Sequence, residues 1–298
     1  MAAHRSKPKI QPTRSGFLHD DRRQVYWEYY GQQDREAICL LNGLAMSTDS
    51  WQSFLPRLLD EYDVLLYDYL GQGRSSREDE PYFIPTCSGH LKGILETLTI
   101  SKIHLMGISY GGFVALDFAR LYQGRLLTLT LSGILLTREE LFQMYQDLSL
   151  RLYRAGPQGF ELYTHYLYEK IFGETFVRSA KDHLESMRQN FYGRYQDHVY
   201  CLIRLTEAQD PFFASLEENL EGYRRIETPT LVMAGAEDRV ILPRVQQKIC
   251  AILRRARCHV IADAGHVVYL EKPDEFFGSL KAFLRQSAGT RTTRESDT

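Results

Sequence analysis

The residues best suited to chemistry sit in three short segments of the 298-residue chain. The first is Gly107-Ile108-Ser109-Tyr110-Gly111-Gly112, directly after the apolar run Ile103 to Met106 and directly before a helical pattern that opens at Phe113. A sharp strand-to-helix turn strains its central residue, the flanking glycines avoid clashes with strand and helix, and the serine hydroxyl is left projecting above the sheet. A phosphate-binding turn would use the same free N–H groups. This segment has neither the spacing and lysine of a P-loop nor a GxGxxG, so Ser109 is expected to be a nucleophile.

A serine hydroxyl is a weak nucleophile near neutral pH and needs a histidine base that is oriented by an acid. The second segment, Gly235-Ala236-Glu237-Asp238-Arg239-Val240, follows the apolar run Thr230 to Ala234 and carries two carboxylates. Glu139 and Glu140, after an earlier run, are further candidates for the acid. The third segment, Asp263-Ala264-Gly265-His266, follows His259 to Ile261 and supplies an imidazole. In a parallel sheet the loops at the carboxyl ends of the strands lie along one edge, and serine, acid, histidine is the chain order expected for such a set. Acyl transfer also needs N–H donors for the developing oxyanion. The backbone of Tyr110 is one, and the loop Asn42-Gly43-Leu44-Ala45-Met46 should provide the other.

Strand-length apolar runs that can hold these segments are Val25 to Tyr29, Ala37 to Leu41, Val64 to Tyr67, Ile103 to Met106 and Leu126 to Leu131. Between them Ser50 to Leu59, His90 to Leu98 and Phe113 to Tyr122 have helical periodicity. This alternation predicts a mostly parallel sheet covered on both faces, an α/β fold. From about Thr137 to Arg225 no strand is expected, and the amphipathic stretches are rich in Tyr and Phe. Alternation resumes with Thr230 to Ala234, a helix from Pro243 to Leu253, His259 to Ile261 and a closing helix from Pro273 to Arg285. The expected organisation is a core of residues 16–136 and 226–287, a helical cap of residues 137–225, and disordered tails at 1–15 and 288–298.

Composition narrows the classes of function. Thirty-six Lys plus Arg against 38 Asp plus Glu give a formal charge of -2, so no bulk positive field draws the chain to nucleic acid or anionic lipid. The first 16 residues are basic and polar, without the apolar stretch of a signal peptide, and no later segment has the apolar length of a membrane span. A cytoplasmic protein with no membrane span and no cofactor is the expectation. The five cysteines, Cys39, Cys87, Cys201, Cys250 and Cys258, lack the close pairs of zinc or redox motifs and are expected to be buried thiols. Cys258, His259 and His266 make only three potential metal ligands, so no metal site is expected.

Taken together, DYLGQGRS with Asp68, Gly71, Gly73 and Ser75, GISYGG, GAEDRVILP and AGHVVYLEKPDEF resemble the α/β-hydrolase superfamily over nearly the whole chain, from Gly16 to Ser287. The resemblance implies Ser109 as nucleophile, His266 as base and Asp238 as acid, since the family acid usually follows the loop glycine by three positions. It also points to the Leu44 N–H as the second oxyanion donor. Many members have His-Gly where this chain has Asn42 and Gly43, which changes the surface beside the nucleophile; these two residues are expected at the substrate, although the Asn42 amide could instead tie down its loop.

The expected reaction is hydrolysis of a carboxylic ester, thioester or lactone through an acyl-serine. A small-molecule substrate with an apolar acyl chain or an aromatic group suits the Tyr and Phe content of the cap, and Arg178, Arg188 and Arg194 could hold a substrate carboxylate. Serine at the nucleophile position argues against the dehalogenases and epoxide hydrolases of the superfamily, which use Asp. Two alternatives stay open. One is acyl transfer to an alcohol or thiol, because the Asn-Gly loop is similar to that of a bacterial acyltransferase joining hydroxy-fatty acids. The other is a ligand-binding role, as in plant hormone receptors of this fold.

Overall fold

The computed structural model describes residues 9–295. Among the described residues, eight strands form one sheet: β1 (Arg14–Asp20), β2 (Arg23–Tyr30), β3 (Ala37–Leu41), β4 (Asp63–Tyr67), β5 (Ile103–Ile108), β6 (Leu126–Ser132), β7 (Thr230–Gly235) and β8 (Ala256–Ile261). Their order is β1-β2-β4-β3-β5-β6-β7-β8. Pairing is antiparallel for β1 with β2 and β2 with β4, and parallel from β4 to β8. The central strands are mostly apolar because both faces are covered, with β3 apolar throughout and buried polar residues such as His104 in β5 and Thr128 and Thr130 in β6. In β3 and β4, Ile38, Leu40, Val64 and Leu66 face one core, and Cys39, Leu41, Leu65 and Tyr67 face the other.

The helices are α1 (Ile84–Thr97) and α2 (Tyr110–Tyr122), then an inserted series, α3 (Glu140–Arg154), α4 (Gly156–Ile171), α5 (Glu174–Ser179), α6 (Lys181–Tyr195), α7 (Val199–Glu207), α8 (Asp210–Ala214) and α9 (Leu216–Arg224), and finally α10 (Pro243–Ile252), α11 (Val268–Glu271) and α12 (Pro273–Glu295). The closing helix α12 packs Phe276, Phe277 and Leu280 against one face of the sheet, while α1, α2 and α10 cover the other. The inserted series leaves the sheet after β6 and returns at β7. Its Phe142, Phe212 and Phe213 rings surround Phe113 in the first turn of α2, at centroid distances of 5.1–6.2 Å. No helix among the described residues is long and apolar enough to cross a membrane.

The structure departs from the sequence expectations at several places. The segment Ser50 to Leu59 is not one helix but two short turns, Thr48–Trp51 and Leu55–Arg57, because Pro56 can neither donate to the preceding turn nor avoid its carbonyl. β1 carries no apolar run; as an edge strand paired only with β2 it is half exposed and reads as polar. Cys250 and Cys258 are not free thiols but a disulfide, since the turn between α10 and β8 brings their Cα atoms to 6.5 Å; Cys39, Cys87 and Cys201 are free and buried. The closing helix runs past Ser287 to Glu295, because residues 288–295 contain one glycine and no proline, which weakens a helix without ending it. The chain is also held before residue 16, where Ile10 N–H donates to Gln52 Oε1 at 3.0 Å and Thr13 N–H to Tyr29 O at 2.9 Å. Residues 1–8 and 296–298 of the expected tails lie outside the described residues.

Candidate active site

Ser109 occupies the turn between β5 and α2 with φ 49° and ψ -122°, a conformation that L-residues adopt only when their surroundings enforce it. Two hydrogen bonds enforce it: Ser109 N–H donates to Ser132 O in β6, and Gly112 N–H donates to Ser109 O, each at 2.8 Å. The turn also presses against β3. A Cβ on Gly111 would lie 2.5 Å from Leu41 O, so only glycine allows the helix to start this close to the sheet.

The loops after β7 and β8 carry Asp238 and His266 to the same edge. Ser109 Oγ is 2.9 Å from His266 Nε2, and His266 Nδ1 is 2.9 Å from Asp238 Oδ2. A carboxylate can only accept, so the arrangement fits the tautomer in which Nδ1–H donates to Asp238 and Nε2 accepts from the serine hydroxyl. Both Asp238 and His266 are buried. Asp238 Oδ1 accepts from the N–H groups of Val240 and Ile241 at 2.8 and 2.9 Å, and Oδ2 accepts a further bond from Gln246 Nε2 at 2.9 Å. The backbone at His266 is held by the inserted series, where the main-chain N–H of His266 donates to Ile171 O at 2.8 Å. Glu271 accepts from Gly265 N–H and Gly173 N–H; burial pushes its carboxyl above the usual range against the pull of these donors.

The other candidate acids do not reach the imidazole. Glu237 Oε2 accepts from Glu174 N–H at the start of α5. Glu139 is bound by Thr137 and Lys248, and Glu140 opens α3. The three candidate metal ligands do not converge either: Cys258 is joined to Cys250, His259 faces Glu275, and His266 is engaged with Ser109 and Asp238.

Leu44 and Tyr110 both line the cavity beside Ser109. Among the described residues, neither backbone N–H has a protein acceptor, which leaves both available to an anionic oxygen. Gly43 lines the same wall, but the expectation that Asn42 touches substrate is corrected. It is fully buried behind the loop, donating to Tyr67 O at 2.9 Å and accepting from Trp51 Nε1 at 2.7 Å. Its amide is spent on holding the loop. Gln72 adds a donor to Gly43 O at 3.2 Å, and Asp68 accepts from Thr48 N–H at 2.7 Å. Gln246 and Gln72 had no signal in the sequence beyond being amides near the motifs.

Ser109 and His266 open into a cavity of ≈ 400 Å³ between the sheet edge and the inserted helices. Its walls are mostly Phe, Tyr and aliphatic side chains. Of the three arginines expected near a substrate carboxylate, Arg194 lines the cavity, whereas Arg188 is taken by Glu185 and Thr164, and Arg178 lies beside Glu174.

The model of the alpha/beta hydrolase fold family matches residues 36–273. The chain is 27% identical to a proline iminopeptidase of Lactobacillus crispatus, an alignment covering 88% of this chain and 95% of the relative. It is 25% identical to 3-oxoadipate enol-lactonase 2 of Acinetobacter baylyi, over 86% and 91% of the two chains. Among solved structures, MGS-M2, an alpha/beta hydrolase enzyme from a Medee basin deep-sea metagenome library, superposes with a TM-score of 0.82 at 26% identity, covering 90% of this chain and 96% of that one. The chain therefore belongs to the α/β-hydrolase fold family.

Proposed function

We propose that the protein is a serine hydrolase that cleaves a carboxylic ester, thioester or lactone of a largely apolar substrate, with the inserted helices acting as its cap. The observation that carries this reading is the unbroken relay from Ser109 Oγ through His266 to Asp238, two contacts of 2.9 Å, opening into the cavity. Ser109 Oγ attacks the carbonyl carbon as its proton passes to His266 Nε2. The oxyanion forms against the Leu44 and Tyr110 N–H groups, and Asp238 stabilises the imidazolium. Collapse releases the alcohol or thiol, which takes the proton from His266. Water then attacks the acyl-serine, with His266 as base, and the carboxylic acid leaves.

The cavity walls favour this reading over cleavage of a peptide with a free cationic N-terminus. Among the described residues no Asp or Glu lines the cavity, so a buried ammonium would have no counter-charge.

The test is turnover of short p-nitrophenyl esters together with covalent labelling by a fluorophosphonate. Wild type is expected to do both, and Ser109→Ala to lose labelling and about a millionfold in kcat. Undiminished labelling of Ser109→Ala would assign the nucleophile elsewhere. An ester formed only with an added acceptor alcohol, with little free acid, would replace hydrolysis by acyl transfer.

A further inference from the structure

Helix α3 turns some aliphatic residues outward while it buries polar ones beside its aromatic rings. Its outward face carries Leu141, Met144 and Leu148, between 40% and 66% exposed, whereas its buried face carries Phe142, Gln146, Ser149 and Tyr153. An amphipathic helix selected for packing alone puts its aliphatic residues inward. Here an amide occupies the inner face although leucines lie within the same turns.

Gln146 is 3% exposed and lines the cavity that holds Ser109 and His266. Among the described residues, neither its Nε2 nor its Oε1 has a hydrogen-bond partner. A buried amide without partners costs free energy at both ends, so such a group calls for an explanation by function. Its surroundings restrict what could pair with it. The nearby lining is neutral, with Ser149, Thr206 and Gln209 beside the phenols of Tyr145, Tyr153 and Tyr163. Burial holds those three phenols well above their ordinary range, so they stay uncharged. Apart from His266, Arg194 is the single ionisable group of the carboxylate, lysine or arginine kind among the described lining residues.

We propose that Gln146 is a specificity-determining residue that receives a neutral carboxamide-type group of the substrate, a group that both donates and accepts, in the part of the cavity formed by α3. This rests on the reading of the cavity as the substrate site of a hydrolase. An amide facing an amide satisfies Nε2–H and Oε1 at once with two parallel bonds. A plain alkyl group leaves both unpaired, and a carboxylate satisfies only the donor while facing Oε1 with a second acceptor. A site built to hydrogen-bond a substrate group discriminates against the analogue that lacks it more strongly than an apolar pocket discriminates by size.

The experiment compares a ladder of ω-carbamoyl acyl p-nitrophenyl esters with ω-isopropyl esters of the same length and shape, using wild type and Gln146→Leu. At one chain length wild type is expected to prefer the carbamoyl ester by at least about tenfold in kcat/KM, and Gln146→Leu to lose that preference or reverse it. Its melting temperature should equal or exceed that of wild type, because an orphaned amide has been replaced by an apolar group of similar size. Equal turnover of the two series by wild type at every length, or a preference that survives Gln146→Leu, overturns the proposal and leaves hydrolysis intact. Calorimetric binding of the matched methyl esters to Ser109→Ala reads the subsite without chemistry. Carbamoyl preference there, with no turnover of either series by wild type, retains the role of Gln146 and overturns the hydrolase reading instead.

Discussion

Gln246 donates to the same oxygen of Asp238 that accepts from His266, at 2.9 Å in both cases. Its other end accepts from Gly133 N–H at 2.9 Å, and Nε2 also reaches Ile241 O at 2.8 Å. One fully buried side chain in α10 thus ties the end of β6 to the acid loop after β7. The acid is held at both oxygens by groups other than His266, which fixes the direction from which the imidazole is met.

Gln246→Met should therefore damage chemistry without damaging binding. Asp238 loses a donor and Gly133 N–H loses its acceptor, a cost of about 1–3 kcal/mol in stability for the orphaned groups. Because Gln246 does not line the cavity, KM is expected to stay near wild type while kcat falls about tenfold to a hundredfold through misplacement of the acid and base. Steady-state kinetics with a p-nitrophenyl ester and a thermal melt check both halves. An unchanged kcat in a destabilised variant would reduce Gln246 to a packing role.

A similar split applies to Asn42. Its amide joins Tyr67 O to Trp51 Nε1 behind the loop that presents Leu44 N–H. Asn42→Leu removes both bonds and leaves the indole N–H buried and unpaired. Loosening the loop weakens the contact that the proposed mechanism gives Leu44 N–H with the oxyanion, so kcat and kcat/KM are expected to fall together, about tenfold, with little change in KM. A rise in KM at constant kcat would instead return Asn42 to the substrate.

The segments that carry Ser109, Asp238 and His266 could be read from the chain because each combines a strand-length apolar run with glycine and a reactive side chain immediately after it. A parallel sheet then dictates that such loops share an edge. The central strands were legible for a related reason: burial on both faces demands unbroken apolar runs, as in Ala37–Leu41. What escaped has no local pattern. Gln246 and Gln146 are single amides whose importance lies in partners more than a hundred residues away or in an absence of partners. The Cys250–Cys258 pair depends on how a helix turns back into an edge strand, and β1 is concealed by its own exposure. For Asn42 the sequence left two readings, contact with substrate or a tie within its loop; which way its side chain turns is decided by Trp51, nine residues later.

Gly133 is the point where backbone conformation and the imidazole meet. It has φ +65°, and a Cβ built on it would lie 2.7 Å from His266 Cε1. Gly133→Ala must therefore strain the backbone, by about 1–3 kcal/mol, and push the ring away from Ser109. The rate of fluorophosphonate labelling, which reads serine activation directly, is expected to drop at least about tenfold. Labelling at the wild-type rate would mean that the ring tolerates the methyl group and that its position is set elsewhere.

A pH signature lies beneath the loop that presents the Leu44 N–H. Asp68 is fully buried and accepts from Thr48 N–H and Arg74 N–H at 2.7 and 2.9 Å. Burial pushes its carboxyl from 3.8 up to about 6, against those two donors, which pull it down. A carboxyl whose folded pKa exceeds the unfolded one takes up a proton on folding. Its favourable contribution is fully present below pH 3.8, declines as the pH rises, and is lost above about 6. Asp68→Asn cannot titrate. The stability of wild type relative to this variant should therefore be greater at pH 4 than at pH 7, by on the order of 2–3 kcal/mol, measured by urea unfolding at the two pH values. A difference independent of pH would mean that Asp68 titrates alike in the folded and unfolded chain, and that the donors around it outweigh its burial.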